Sequence, residues 1–181
     1  IQDELKRVQD EDLGQVSREL YPAIIKMGLV PALRSLVSRF ADLLEIDLSF
    51  DQRIADLDAA GEAGLPEKRR LGIYRIAEEA LNNVMKHGSA SHAHVTVTRD
   101  GNNLVLTIID DGRGFEHTEL DNCHGLMMMR DYGNAIGGKT EITSSVRQGT
   151  SIRLVLPLPS SNSLVSMLRK AKNPVSFYHG F

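Results

Sequence analysis

The chain has 181 residues, 21 Lys and Arg against 24 Asp and Glu, and a single cysteine, Cys123. One cysteine excludes an internal disulfide framework or a multi-cysteine zinc site, and a formal charge of -3 argues against a non-specific nucleic-acid binder. Hydrophobic residues at 41% and charged residues at 25% describe a globular chain, and no apolar run approaches the roughly 18 residues of a membrane span.

The length suits one domain with an appendage, or two small domains, and an opening at Ile1 without a charged-then-apolar leader reads as a piece of something longer. Ile1 to Asp12 is mostly charged and amidic, the pattern of a frayed helix end. A helical spacing follows at Leu13, Val16, Leu20 and Ile24, interrupted by Pro22. A cleaner one runs Leu29, Leu33, Leu36, Val37, Phe40, Leu43 and Leu44, with Pro31 near its start, where a missing N–H costs little. Residues 1–45 therefore predict helix, break, amphipathic helix: a hairpin on the main domain or a dimerisation stalk.

At Ile46, Leu48 and Phe50 the period changes to alternation, a half-buried strand. Ala59 to Gly64 reads as a loop before Pro66, and Glu67 to His87 as a helix. Two alternating runs, His94 to Arg99 and Leu104 to Ile109, flank the turn Asp100-Gly101-Asn102-Asn103. A helix-like segment then leads to Gly137-Gly138, followed by strands over Thr140 to Ser144 and Ser151 to Leu156. Strands outnumber helices after residue 90 and are joined by short turns, which predicts a mostly antiparallel sheet with helices on one face. Residues 159–181 match no pattern and stay unassigned.

At about 100° per residue, Ile73, Tyr74, Ala77, Ala80, Leu81, Val84 and Met85 share one arc of the long helix. The opposite arc holds Arg75, Glu78, Glu79, Asn82, Asn83, Lys86 and His87, with Ile76 intruding. Two asparagines in a helix interior are each unfavourable relative to Ala by some tenths of a kcal/mol. A carboxylate, an amide oxygen one turn on and a cation beyond suit a metal-bridged phosphate, since hard oxygens meet Mg²⁺ and Lys meets phosphate. The same composition also describes an ordinary solvated face.

The strand Leu104 to Ile109 runs into Asp110-Asp111-Gly112-Arg113-Gly114-Phe115. Alternate glycines let a flat ligand approach the backbone, and a carboxylate at the strand end can accept from an exocyclic amine such as that of adenine; a plain Asp-Gly turn reads the same way. His124-Gly125-Leu126 opens a helix whose free N–H groups suit phosphate, with Arg130 further along and Met129 assigned to the core. Gly133 to Thr140 satisfies the P-loop expression letter for letter, but here helix-like residues precede it and a strand follows. We read it as a helix-ending glycine turn.

Together these motifs resemble the ATP-binding catalytic domain of sensor histidine kinases of the nitrate-sensor and DesK-like group, within the gyrase, Hsp90, histidine kinase and MutL (GHKL) ATPase superfamily. Arg75 to His87 resembles the family's N box, Asp110 to Phe115 its first glycine box and His124 to Arg130 its second; Ile136 to Ser144 and Gly149 to Pro157 resemble the closing segment. Arg18 to Phe40 more loosely resembles the exit from the dimerisation domain.

The resemblance implies an α+β two-layer sandwich, the Bergerat fold, with Mg·ATP held between the N-box helix and the glycine turns. It implies three parts: residues 1–45 as connector, 46–158 as the ATP-binding domain, and 159–181 as a tail. By family pattern Asn83 is the Mg²⁺ ligand and Glu79 the acid/base or water-positioning residue. Asp110 takes the adenine amine with Thr150 nearby, Lys86 and His87 approach phosphates, and Gly112, Gly114, Gly125 and Leu126 line the nucleotide. The implied activity is γ-phosphoryl donation to a histidine on a dimerisation helix, for relay to a response regulator, in a parent that is a homodimer and is either membrane-anchored or soluble. The domain would be cytoplasmic.

Two departures stand out. None of the six histidines lies in a segment like the acceptor box, and Met128 stands where the group usually has glycine. Only a short stretch, from Glu116 up to the His124 that opens the second box, separates the glycine boxes, which predicts a short lid. An anti-sigma-factor-type serine kinase and a non-catalytic ATP sensor are the alternatives on the same fold.

Overall fold

The computed structural model describes residues 23–116 and 124–158. The expected helix before Pro22, the lid and the tail lie outside the described residues. Helical residues 23–27 are followed by a break at Gly28 and by α1 (Leu29–Ser38). Strand β1 (Glu45–Phe50) leads to α2 (Gln52–Ala59), a 3-10 turn at Gly61–Ala63, and the long helix α3 (Glu67–Asn83), which ends in a π-helical turn at Val84–Gly88. Then come β2 (His92–Asp100), β3 (Asn103–Asp110), α4 (His124–Ala135), β4 (Lys139–Ser144) and β5 (Thr150–Pro157).

The five strands form one sheet in the order β1-β2-β3-β5-β4. Only the edge pair β1–β2 is parallel; the other three pairings are antiparallel. Alternation decides the two faces. Val95, Val97, Leu104, Leu106, Ile108, Ile152, Leu154 and Leu156 are buried on one side, while His94, Thr98, Arg153 and Glu141 are exposed on the other. One face is therefore core and carries the helices, as the alternating runs predicted.

The amphipathic run predicted to continue through Leu44 stops being helical at Ser38, although Phe40 and Leu44 remain buried as turns. Ile25, Leu29, Leu33 and Leu36 join the same core cluster as the sheet residues. Helix α2 was not legible as an element, because only Ile54 and Asp58 of it are buried; its N-terminus is capped by Asp51, whose Oδ1 accepts from the Arg53 N–H at 2.9 Å.

Three stripes of α3 face three neighbours. Ile73, Ala77 and Ala80 lie toward the sheet and are buried. Tyr74 and Glu78 accept from Arg39, just past the end of α1, at 3.4 and 3.1 Å. A Cβ at Gly72 would strike Ile136, and one at Gly125 would strike Glu79, so the stripe Gly72-Ile76-Glu79-Asn83 faces α4. This corrects the two-arc reading. Ile76 is fully buried, and the polar arc is divided into an Arg39–Glu78–Arg75 ion-pair group and a Glu79–Asn83 group under α4.

Gly137, at φ +79°, ends α4 in a Schellman turn: the Gly138 N–H donates to Gly133 O at 2.9 Å and the Gly137 N–H to Asn134 O at 3.0 Å. The P-loop-like string is thus a helix stop before a strand, and its Lys139 is exposed and bonded to Glu141 at 2.8 Å.

Candidate nucleotide site

The core-facing series of three strands end together in polar residues. Along β3 the buried positions Leu104, Leu106 and Ile108 are followed by Asp110. On β5, Leu156, Leu154 and Ile152 lead back to Thr150, and on β4, Thr140 and Ile142 lead to Ser144. Cross-strand register sets Asp110 opposite Thr150 and Thr150 opposite Ser144. The sheet's core face therefore closes on a row of a carboxylate and two hydroxyls.

Asp110 is 6% exposed. Burial pushes its carboxyl above the ordinary aspartate range, opposed by the backbone groups of Gly112 and Thr150. The Gly112 N–H donates to its Oδ1 at 2.9 Å. Asp111, the next residue, points elsewhere: it accepts from the Ser91 N–H, the His92 N–H and the Ser91 hydroxyl at 2.9, 2.9 and 2.7 Å. Those donors hold its carboxyl well below the ordinary range. One aspartate ties the turn to β2 while the other faces the core edge.

The turn itself lies on the β4–β5 loop. Gly114 has no room for a Cβ against the Ser145 carbonyl, nor Gly149 against the Asp110 carbonyl, and the Phe115 N–H donates to Ser144 Oγ at 3.0 Å. Sequence reasoning missed Ser144 and Asp111; the signal for Ser144 was its place as the polar end of an alternating strand.

On the helical side, a Cβ at Gly125 would overlap Glu79 Oε1 and stand 3.2 Å from Asn83 Nδ2. Only glycine lets the first turn of α4 approach this carboxylate and amide. Among the described residues no hydrogen bond or ion pair engages the side chain of Glu79 or Asn83, and both are half-buried. Lys86 is exposed in the π-helical turn. The His87 side chain lies outside the described residues. Leu126 is 4% exposed and Met129 fully buried, so Leu126 has its side chain in the core and only its backbone to offer a ligand.

The sequence matches the family described as histidine kinase-, DNA gyrase B-, and HSP90-like ATPases over residues 68–160, more than half of the chain. The chain belongs to that family. The matched region of this histidine kinase-like ATPase contains every residue of the candidate site described above, and family membership implies ATP binding. It is 29% identical over 160 residues to the signal transduction histidine-protein kinase/phosphatase DegS of Brevibacillus brevis, covering 86% of this chain and 40% of the relative. It is 34% identical over 133 residues to the sensor histidine kinase YxjM of Bacillus subtilis, covering 72% of this chain and 30% of the relative. The chain thus spans well under half of these curated relatives.

Its fold resembles a blue-light activated histidine kinase of Erythrobacter litoralis, with a TM-score of 0.61 at 17% identity over 84% of this chain and 51% of that one. It also resembles the Acinetobacter baumannii histidine kinase AdeS, with a TM-score of 0.58 at 13% identity over 84% of this chain and 81% of that one. No helix among the described residues is long and apolar enough to cross a membrane.

Proposed function

We propose that the chain is the Mg·ATP-binding catalytic part of a two-component sensor histidine kinase. It would donate the γ-phosphoryl group to a histidine on a dimerisation helix, from which a response regulator takes it. The observation that carries this reading is the meeting of Gly125 with Glu79 and Asn83, a carboxylate and an amide that no other described residue hydrogen-bonds, beside a helix N-terminus. A carboxylate and an amide that remain open to solvent beside free helix N–H groups are available to a ligand that displaces water.

Hard oxygen donors fit magnesium, so the Asn83 amide oxygen is the proposed metal ligand, with Glu79 beside it. When bound, the ion supplies charge neutralisation on the transferring phosphate. Glu79 positions the acceptor or takes its proton, and the N–H groups at Gly125 and Leu126 accommodate phosphate oxygens together with Lys86 and His87. Asp110 and Thr150 take the base, with Gly112 and Gly114 letting it lie against the backbone. Phosphoryl transfer needs mainly positioning and electrostatic stabilisation, which this set provides for the donor half.

Residues 1–45 are proposed as the connector from the dimerisation domain, its last helix docked on the ATP-binding part (46–158), in a parent that is a homodimer with this part in the cytoplasm. Titration of ATP and Mg²⁺ into the wild type, Asn83→Ala and Asp110→Ala tests the site: both variants should lose most of the affinity, and equal affinity in all three overturns the assignment. Mixing the chain with ATP and a separately supplied acceptor helix tests the activity. Labelled phosphohistidine on the helix is expected; ATP binding without transfer would leave a nucleotide sensor.

A further inference from the structure

The hydroxyl of Ser144 has three neighbours and a full complement of bonds. It accepts from the Phe115 N–H at 3.0 Å, donates to the Gly149 carbonyl at 2.9 Å, and stands 3.2 Å from Thr150 Oγ1. A serine hydroxyl carries one proton and two lone pairs. With its proton on Gly149 O and one lone pair on Phe115 N–H, a single lone pair remains, and the third bond is complete only if Thr150 is the donor. The Thr150 proton is then committed to Ser144, and Thr150 offers the site lone pairs alone.

Thr150 lies opposite Asp110 in the sheet register, and the ionised carboxylate of Asp110 also only accepts. We propose that Ser144 is a specificity-determining positioning residue: by taking the Thr150 proton it makes the end row of the sheet acceptor-only. An exocyclic amine, with two N–H donors, satisfies two such acceptors. A 6-oxo purine places an oxygen lone pair there instead and keeps one donor on that edge, N1–H, so it leaves one of the two acceptors unsatisfied. The selected ligand class is therefore the 6-amino purine nucleotides. This deepens the nucleotide reading and rests on it.

The test compares ATP with inosine triphosphate, which differs from it at the 6-position and N1 of the base, by calorimetric titration of the full chain. Wild type should prefer ATP. In Ser144→Ala, Thr150 is free to turn its proton toward the ligand, and the ATP-over-ITP affinity ratio should fall about three- to tenfold, the range of one net hydrogen bond. Ser144→Thr keeps a hydroxyl at that position and should restore the ratio. Equal loss of both affinities in Ser144→Ala, with the ratio unchanged, overturns the proposal and leaves Ser144 a purely structural clasp. If Ser144→Ala does not fold, Thr150→Val must lower the ratio as well, and an unchanged ratio there overturns the proposal equally. Failure of the wild type to bind either nucleotide would instead sink the nucleotide reading.

Discussion

A glycine meets a carboxylate at two places in this molecule, and the two carboxylates are used in opposite ways. At the break before α1, Gly28 sits at φ +132° and a Cβ there would stand 2.5 Å from Asp58 Oδ2. Asp58 is engaged on both oxygens: it accepts from the Leu29 and Val30 N–H groups at 2.7 and 2.9 Å and faces Arg70 Nε at 3.9 Å. Arg70 in turn, 3% exposed, donates to the carbonyls of Leu65, Ile25 and Lys26 at 2.6, 3.0 and 3.3 Å. At the start of α4, Gly125 presses on Glu79 and Asn83, yet no described residue bonds to either side chain. Both places bring a helix N-terminus onto a carboxylate. One completes its hydrogen bonds internally and is architecture; the other, among the described residues, leaves them open and is the proposed site.

The contrast predicts separable losses. The largest is at the first place. Asp58→Ala removes the acceptors of the first α1 N–H groups and the buried one of two carboxylates beside Arg70, leaving only the exposed Glu62 at 3.6 Å, and should cost about 3 kcal/mol in urea denaturation. ATP affinity of the folded variant should be little changed. Asn83→Ala should do the reverse, lowering ATP affinity about 10- to 100-fold by titration while leaving the unliganded protein as stable or a few tenths of a kcal/mol more so, because Ala is the better helix former. A destabilised Asn83→Ala protein would erase the distinction.

The two glycines sharpen it further. Gly28→Ala combines a strained φ with a steric conflict and should cost about 1–2 kcal/mol, read from the shift in the melting temperature. Gly125→Ala meets only the movable ends of the Glu79 and Asn83 side chains, so its stability should hold while phosphoryl transfer to a supplied acceptor falls.

Protonation provides a smaller effect. Asp110 is raised above the ordinary 3.8, so in the free protein its ionisation costs stability as pH rises through that raised value. As a base acceptor it must be ionised, so ATP affinity should be lost as pH falls through the same raised value, and Asp110→Asn should flatten this dependence. Asp111 is lowered from 3.8, so its contribution to stability is present above that value and lost as pH falls below it. Melting curves between pH 3 and 6 against parallel ATP titrations distinguish the pair. Smallest of all, Lys139→Ala should leave ATP affinity unchanged; loss of binding there would revive the P-loop reading.

Much of this was legible in advance because alternation and 3.6-residue periodicity reflect burial directly. The strands at Ile46–Phe50 and Leu104–Ile109, the long helix from Glu67 and the glycine stop at Gly137 all follow from patterns within one element. Helix α2 escaped because eight residues with two buried positions carry too little pattern. Ile76 was misplaced because a single wheel assumes one buried face, whereas α3 is packed on three sides.

The amino-acid sequence alone determined most of the element types, the alternation that gives the sheet one wet face, and the short-range motifs whose order marks the ATPase family, since each depends on neighbours a few residues apart. It also named Glu79, Asn83 and Asp110. Only the tertiary structure decided which polar groups are spent and which are left open. That Asp58 accepts from the start of α1 while no described residue bonds Glu79, and that the Phe115 N–H takes up a lone pair of Ser144, depends on groups distant in the chain, brought together by helix docking and strand register.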